Sequence, residues 1–368
     1  LAARISMWVF MGSMTFVIWF SWNAYSTRLE LWDPGFPIMV GILFYGFLTY
    51  AAFIREEAQR KQVRSAFGQY LSPDLVKKLA DDPDQLSLGG EMREMTFMFC
   101  DIRGFTSISE LFDSQGLTRL INRFLTPMTN LILSHNGTID KYMGDCIMAF
   151  WNAPLLDEDH ARDACQTALL MVVDLQILND ALEKEAEEEE REHRPIKIGI
   201  GVNSGEACVG NMGSEQRFDY SVLGDNVNLA SRLEGQSKTY RVTIVLGDNT
   251  VALAPDYAWL EMDLIKVKGK TEAVRIFGLV GDPDIAKQQD FRDLKIVHDR
   301  ALVEYRSQEW DKVLATFTEA RAMIESMKGV GLVHEVARFY ELYEERIEEY
   351  RAEPLPSDWD GVFVATSK

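Results

Sequence analysis

FMFCDIRGFTSIS, residues 97–109, and GTIDKYMGDCIMAFW, residues 137–151, are two apolar strand-like runs, and each brings an aspartate, Asp101 or Asp145, to the end of a strand. A lone Asp at such a position is ordinarily a turn residue or a helix cap. Two of them suit a pair of hard divalent cations, which take oxygen ligands and use one or two carboxylates alongside substrate phosphates and water. That arrangement points to two-metal phosphoryl transfer.

A third segment, FDYSVLGDNVNLASRLEG (218–235), strengthens the reading. An apolar strand turns at Gly224 into an amphipathic helix with Val227, Ala230 and Leu233 inward. Asn228 and Arg232 then stand four residues apart on one helix face.

Together the three segments resemble the class III nucleotidyl cyclase catalytic domain, from about Glu91 to Gly281. The resemblance implies an α+β fold with a ferredoxin-like βαββαβ core, a mostly antiparallel sheet with helices on one side. It also implies that Asp101, Asp145 and the backbone carbonyl of Ile102 bind two Mg²⁺ or Mn²⁺ ions per active site. The turn Gly104-Phe105-Thr106 would cradle phosphates with its backbone N–H groups. Asn228 would orient the ribose, and Arg232 would meet the charge on the transferring phosphoryl group. Lys268 or Lys270, in LIKVKGKTEAVRIFGL (264–279), would hold the terminal phosphates.

Lys141 and Ser221 occupy the family's two purine-reading positions. An ammonium donates to adenine N1, whereas guanine N1 carries a hydrogen and favours a carboxylate. Lys141 therefore argues for ATP. The animal membrane enzymes have Asp where this chain has Ser221, and a neutral hydroxyl makes a weaker hydrogen bond than a charged group. The implied reaction is in-line attack of the ribose 3′-hydroxyl on the α-phosphorus, giving 3′,5′-cyclic AMP and pyrophosphate. In the family the metal aspartates come from one chain and the Lys, Asn and Arg from its partner. A head-to-tail homodimer with two equivalent sites is expected. A guanylate cyclase and a catalytically silent cyclase-like signalling module are the alternatives. Lys141 speaks against the first, and the intact set Asp101, Asp145, Asn228 and Arg232 against the second.

The chain has 368 residues, 47% of them hydrophobic, which is material for more than one domain. A formal charge of -19 argues against a nucleic-acid partner, which would demand a basic face. Cys100, Cys146, Cys165 and Cys208 show no CxxC or Cys/His ligand spacing, so reduced core thiols are expected. Strand periodicity should point Cys100 and Cys146 away from the neighbouring aspartates.

Two charge-free runs, Ile5 to Trp22 and Gly35 to Ile54, are long enough to cross a bilayer as helices. Arg55, Arg60, Lys61 and Arg64 follow the second and place it, and the catalytic domain behind it, on the cytoplasmic side of a cell membrane. Residues 1–54 thus read as two membrane helices and 55–90 as coupling helices broken at Ser72-Pro73. Residues 91–281 form the catalytic domain and 282–368 a helical extension. FGQYLSP (67–73) resembles the transducing segment of bacterial cyclases with an extracytoplasmic CHASE-type sensor, and Leu1 in place of Met suggests a trimmed chain, so such a sensor upstream is expected. Helical periodicity covers Leu117–Leu133 and Ala161–Leu182. Strands are expected at Lys197–Val202, Ala207–Val209, Tyr220–Leu223 and Val242–Val245. EKEAEEEEREHRP (183–195) reads as a solvated helix end. ALVEYRSQEWDKVLATFTEARAM (301–323) resembles one tetratricopeptide helix pair, with Trp310 and Phe317 as packing residues.

Overall fold

The computed structural model describes residues 2–67, 89–214, 217–266, 273–356 and 358–364. It divides into two compact units, Leu1–Val76 and Lys77–Lys368. The Ser72-Pro73 break of the coupling segment lies outside the described residues, as do Lys268 and Lys270.

The first unit is a helical pair, α1 (Ala2–Arg28) and α2 (Gly35–Phe67). Asp33 accepts the Gly35 backbone N–H at 2.8 Å and so caps the start of α2. The helices meet through the stacked rings of Phe10 and Tyr45, 4.5 Å apart. Large apolar side chains such as Trp19, Leu43 and Phe47 point outward, a surface that water disfavours and lipid tolerates. By length and composition, Gly35–Arg55 is long and apolar enough to cross a membrane.

The second unit is organised by β1 (Gly89–Ile102). It is followed by α3 (Phe105–Ser109), α4 (Ser114–Ser134), the hairpin β2 (Thr138–Met143) and β3 (Cys146–Trp151), α5 (His160–Glu188) and β4 (Ile198–Ser214). These strands lie in the order β2-β3-β1-β4, the ferredoxin-like arrangement, with α4 and α5 as its crossovers. Apolar residues of α4 recur at Leu120, Phe124, Met128 and Ile132, the spacing that puts one stripe against the sheet. Asp113 caps that helix by accepting the Gly116 N–H at 2.7 Å. Helix α5 also has the length and composition of a membrane span, yet it buries Ala164, Ala168 and Met171 in the same core.

Alternation along β1 separates two faces. Met98, Cys100 and Ile102 pack under α4 and α5, while Met95, Phe97 and Phe99 pack on the other side. That opposite face carries α6 (Asp225–Thr239), which follows β5 (Arg217–Leu223). Helices therefore cover both sides of the sheet, a departure from the one-sided arrangement that the resemblance implies. The reason is local: Gly201 on β4 lets α6 approach so closely that an added Cβ would come within 2.1 Å of the Glu234 nitrogen.

The expected strands Lys197–Val202 and Ala207–Val209 are one continuous strand, β4. The polar residues between them stay extended because β4 pairs with β1 over the whole length from Gly89 to Ile102. The chain continues through β6 (Ile244–Gly247), the short helix α7 (Asp248–Leu253), β7 (Ala258–Lys266) and β8 (Val274–Gly281), and the sheet runs on from β4 in the order β6-β8-β7.

After the short α8 (Pro283–Ala286), the chain ends in α9 (Gln289–Arg306), α10 (Trp310–Ser326), α11 (Val336–Ala352) and β9 (Val362–Val364). These helices share one core with the catalytic region. Leu294, Phe317, Phe339 and Tyr343 pack with Leu233 of α6, Tyr240 and Leu260 of β7. Phe317 is fully enclosed and Trp310 packs at the edge, the roles expected of them. Strand β9 joins the sheet edge parallel to β7.

Candidate active site

Strand β1 ends at Asp101-Ile102, and Gly104 then turns with φ 68 and ψ 28 into α3. A left-handed residue there is cheap only for glycine. Asp145 sits in the β2–β3 turn beside Gly144, whose φ is 69. The fold thus brings two carboxylates 44 residues apart in sequence into contact. Burial first, and then the Asp145 carboxylate beside it, push the Asp101 carboxyl up to about 6. Two like charges in a half-enclosed site resist joint ionisation. Cys100 is buried in the core under α4 and α5, as strand alternation requires, but Cys146 packs on the opposite face with Phe97 and Phe99, the face to which alternation also assigns Asp101, so only Cys100 turns away as expected.

Two further charged groups stand near this pair. Glu234 on α6 is pushed up to about 7, by burial first and then by Asp101, with the Arg103 guanidinium opposing. An added Cβ at Gly199, which pairs with Asp101, would meet the Glu234 carboxylate at 2.7 Å. Arg103 donates to the Val242 carbonyl. Neither Glu234 nor Arg103 announced itself in the sequence, because each lies among ordinary helix or turn charges.

Lys141 and Ser221 are brought together from β2 and β5, the ammonium 3.5 Å from the hydroxyl. Between them lies Asp140, which the sequence reading passed over. Its side chain is fully enclosed, and one oxygen lies 3.2 Å from Lys141 Nζ. That contact is Coulombic, since the oxygen, Oδ1, makes no directed hydrogen bond. The other, Oδ2, accepts the Ser221 hydroxyl at 2.7 Å. Burial raises the Asp140 carboxyl above its ordinary range, and the Ser221 hydroxyl and the Lys141 charge pull the other way. A β-bulge produces the cluster: Ile139 pairs with Ala149 and Lys141 with Met148, so Asp140 is the extra residue. Strict alternation would have sent Asp140 and Lys141 to opposite faces.

Helix α6 turns Val227 and Ala230 to the sheet and leaves Asn228 exposed and Arg232 half-buried. Arg232 Nη1 is a buried donor without a hydrogen-bond partner, which is costly unless an anion comes to it. Among the described residues, no hydrogen bond or ion pair joins Asp101 or Asp145 to Lys141, Asn228 or Arg232. Phe105 packs partly into the core, and Thr106 is exposed in the first turn of α3.

At β1 and the hairpin turn the structure sets two adjacent carboxylates, Asp101 and Asp145, both hard oxygen donors. The pair suits Mg²⁺ or Mn²⁺, whose charge would relieve the repulsion between Asp101 and Asp145.

Residues 90–280 match the adenylate and guanylate cyclase catalytic domain, just over half of the 368-residue chain. Adenylate cyclase 1 of Rhizobium meliloti (strain 1021) is 32% identical over 216 residues, covering 58% of this chain and 32% of that protein. The adenylate cyclase of Anabaena cylindrica is 38% identical over 223 residues, covering 59% of this chain and 43% of that protein. The chain spans less than half the length of either relative. A solved bacterial light-regulated adenylyl cyclase shares the fold, with a TM-score of 0.52 at 22% identity over 62% of this chain and 63% of that one. With its matched strands, paired aspartates and α6 helix in place, the chain belongs to the adenylate and guanylate cyclase catalytic domain family.

Proposed function

We propose that this chain is an adenylate cyclase, converting ATP to 3′,5′-cyclic AMP and pyrophosphate at sites shared by two copies of the chain. The observation that carries the substrate is Lys141 beside Ser221, 3.5 Å apart. An ammonium donor and a hydroxyl acceptor at that spacing complement adenine, whose N1 accepts and whose 6-amino group donates.

Asp101, Asp145 and the Ile102 carbonyl would hold two Mg²⁺ or Mn²⁺ ions, which would lower the pKa of the ribose 3′-hydroxyl and neutralise the triphosphate. The Gly104-Phe105-Thr106 turn offers backbone N–H groups to the phosphates. Asn228 of the partner subunit orients the ribose, so that the 3′-hydroxyl is in line with the α-phosphorus. The partner subunit's Arg232 meets the charge that develops on the transferring phosphoryl group. The unpartnered Nη1 of Arg232 supports this role, since a site lacking its anion leaves such a donor unused. Lys268 or Lys270 is assigned to the terminal phosphates.

The shared site is supported by Asp101 and Asp145 forming one cluster that, among the described residues, makes no hydrogen bond or ion pair to Lys141, Ser221 or Arg232. Helices α1 and α2 anchor the chain in lipid. The basic residues after Ile54 keep the cyclase unit on the cytoplasmic side, where ATP is.

The test uses the full chain in detergent micelles with Mn²⁺ and either ATP or GTP, products being separated by chromatography and mass. Cyclic AMP should dominate; predominant cyclic GMP would overturn the substrate. Co-expressed Asp101→Ala and Arg232→Ala chains, each inactive alone, should recover about a quarter of wild-type activity, because a mixed dimer keeps one intact site. No recovery from a purified mixed dimer would overturn the shared site.

A further inference from the structure

We infer that Asp140 is a positioning residue that sets purine selectivity by holding the Ser221 hydroxyl proton, so that Ser221 meets the base only as an acceptor. The inference rests on the adenylate cyclase reading of Lys141 and Ser221 and deepens it.

The geometry leaves the hydroxyl one polarity. Asp140 Oδ2 lies 2.7 Å from Ser221 Oγ, and an ionised carboxylate can only accept, so the hydroxyl donates. Its oxygen is left to accept, from Lys141 at 3.5 Å and from a base that reaches the cluster. Adenine offers a 6-amino donor to that oxygen. Guanine offers a 6-carbonyl, which needs a donor, and finds the serine proton already committed. Lys141 is held by the same carboxylate, at 3.2 Å, so one buried group orients both purine-reading side chains. The Asp140 side chain is sealed from water, which strengthens both contacts and stops solvent from re-aiming the hydroxyl. The β-bulge between Ile139 and Lys141 is the backbone device that makes room for it.

The isosteric change Asp140→Asn separates polarity from packing. The Lys141 ammonium attracts the amide carbonyl to its side and leaves the amide NH₂ facing Ser221. Ser221 then accepts from Asn and turns its own proton toward the base, where it suits guanine. Binding of 3′-deoxy-ATP and 3′-deoxy-GTP to the full chain with Mg²⁺, by calorimetry, reads this directly, alongside kcat and KM for ATP and GTP. The preference for adenine over guanine should fall about tenfold or more in Asp140→Asn, entering through affinity and KM. In a Ser221→Ala background the same change should shift the preference much less, since only the hold on Lys141 is then altered. Asp140→Ala, which frees the hydroxyl to rotate, should move the preference in the same direction and serves if the Asn variant does not fold.

An adenine-preferring wild type whose preference survives both Asp140 changes would overturn the inference alone. So would a shift that persists undiminished without the Ser221 hydroxyl. A wild type that prefers the guanine analogue would overturn the inference and the adenylate cyclase reading together.

Discussion

Arg346 on α11 donates from Nη1 to Asp263 Oδ2 on β7 at 2.7 Å, with both side chains almost completely enclosed, at 5% and 2% exposure. Tyr240, just after α6, donates to the same oxygen at 2.6 Å, and the guanidinium lies 3.6 Å over the Phe363 ring. One buried ion pair thus ties the C-terminal helices to the sheet and to the end of the helix that carries Asn228 and Arg232.

Removing one partner of such a pair strands a charge in a dry site, so Arg346→Ala should destabilise the chain by about 3 to 5 kcal/mol. Replacing both, Arg346→Met with Asp263→Leu, should recover most of that loss. Urea unfolding followed by tryptophan fluorescence reads both. A single variant within about 1 kcal/mol of wild type would mean that the helical extension is not coupled to the catalytic core in this way.

Asp145→Asn should abolish cyclic AMP formation while raising the melting temperature of the metal-free chain, because it removes the like charge beside Asp101. A purely structural aspartate would behave oppositely, losing stability on substitution. Thermal melts in EDTA, paired with product assays, distinguish the two.

The same pair makes a statement about pH. Burial and the neighbouring Asp145 carboxylate push the Asp101 carboxyl up to about 6 in the folded chain, from its ordinary value near 3.8. Between those values the native state keeps a proton that the unfolded chain has released, so its contribution to stability falls as pH rises through that window. The stabilising effect of Asp145→Asn in EDTA should therefore be small near pH 4 and grow toward pH 7. Added Mn²⁺ should stabilise wild type more at pH 7 than at pH 5, because protons no longer compete for the carboxylates. A difference in melting temperature between variant and wild type that is flat across this range would refute the coupling.

Arg232→Ala should lower kcat by roughly a hundred to a thousand times, the usual effect of losing one pre-positioned donor to developing charge. The dimer, checked by light scattering, should persist. A loss confined to KM would reassign Arg232 to ground-state binding.

The setting of the two aspartates was legible in the sequence because its signals are local. Asp101 stands near a strand end and Asp145 in a hairpin turn, where apolar alternation and Gly104 or Gly144 mark the geometry within a few residues, whereas Lys141 lies inside β2 and is marked only by the family resemblance. The α6 pattern likewise exposed Asn228 and Arg232 through the spacing of Val227, Ala230 and Leu233. Tertiary structure alone decided what depends on partners far along the chain. Asp140 became the hub between Lys141 and Ser221 only because a bulge re-aims it and Ser221 arrives from 81 residues away. Polar residues between Val202 and Ala207 looked like a break, but backbone pairing with β1 overrides side-chain pattern and keeps β4 extended. The C-terminal helices could not declare their resting place, since an apolar stripe says that a face is buried and not what buries it. Periodicity and turn chemistry are written residue by residue, whereas register, bulges and the pairing of buried charges exist only once distant segments have met.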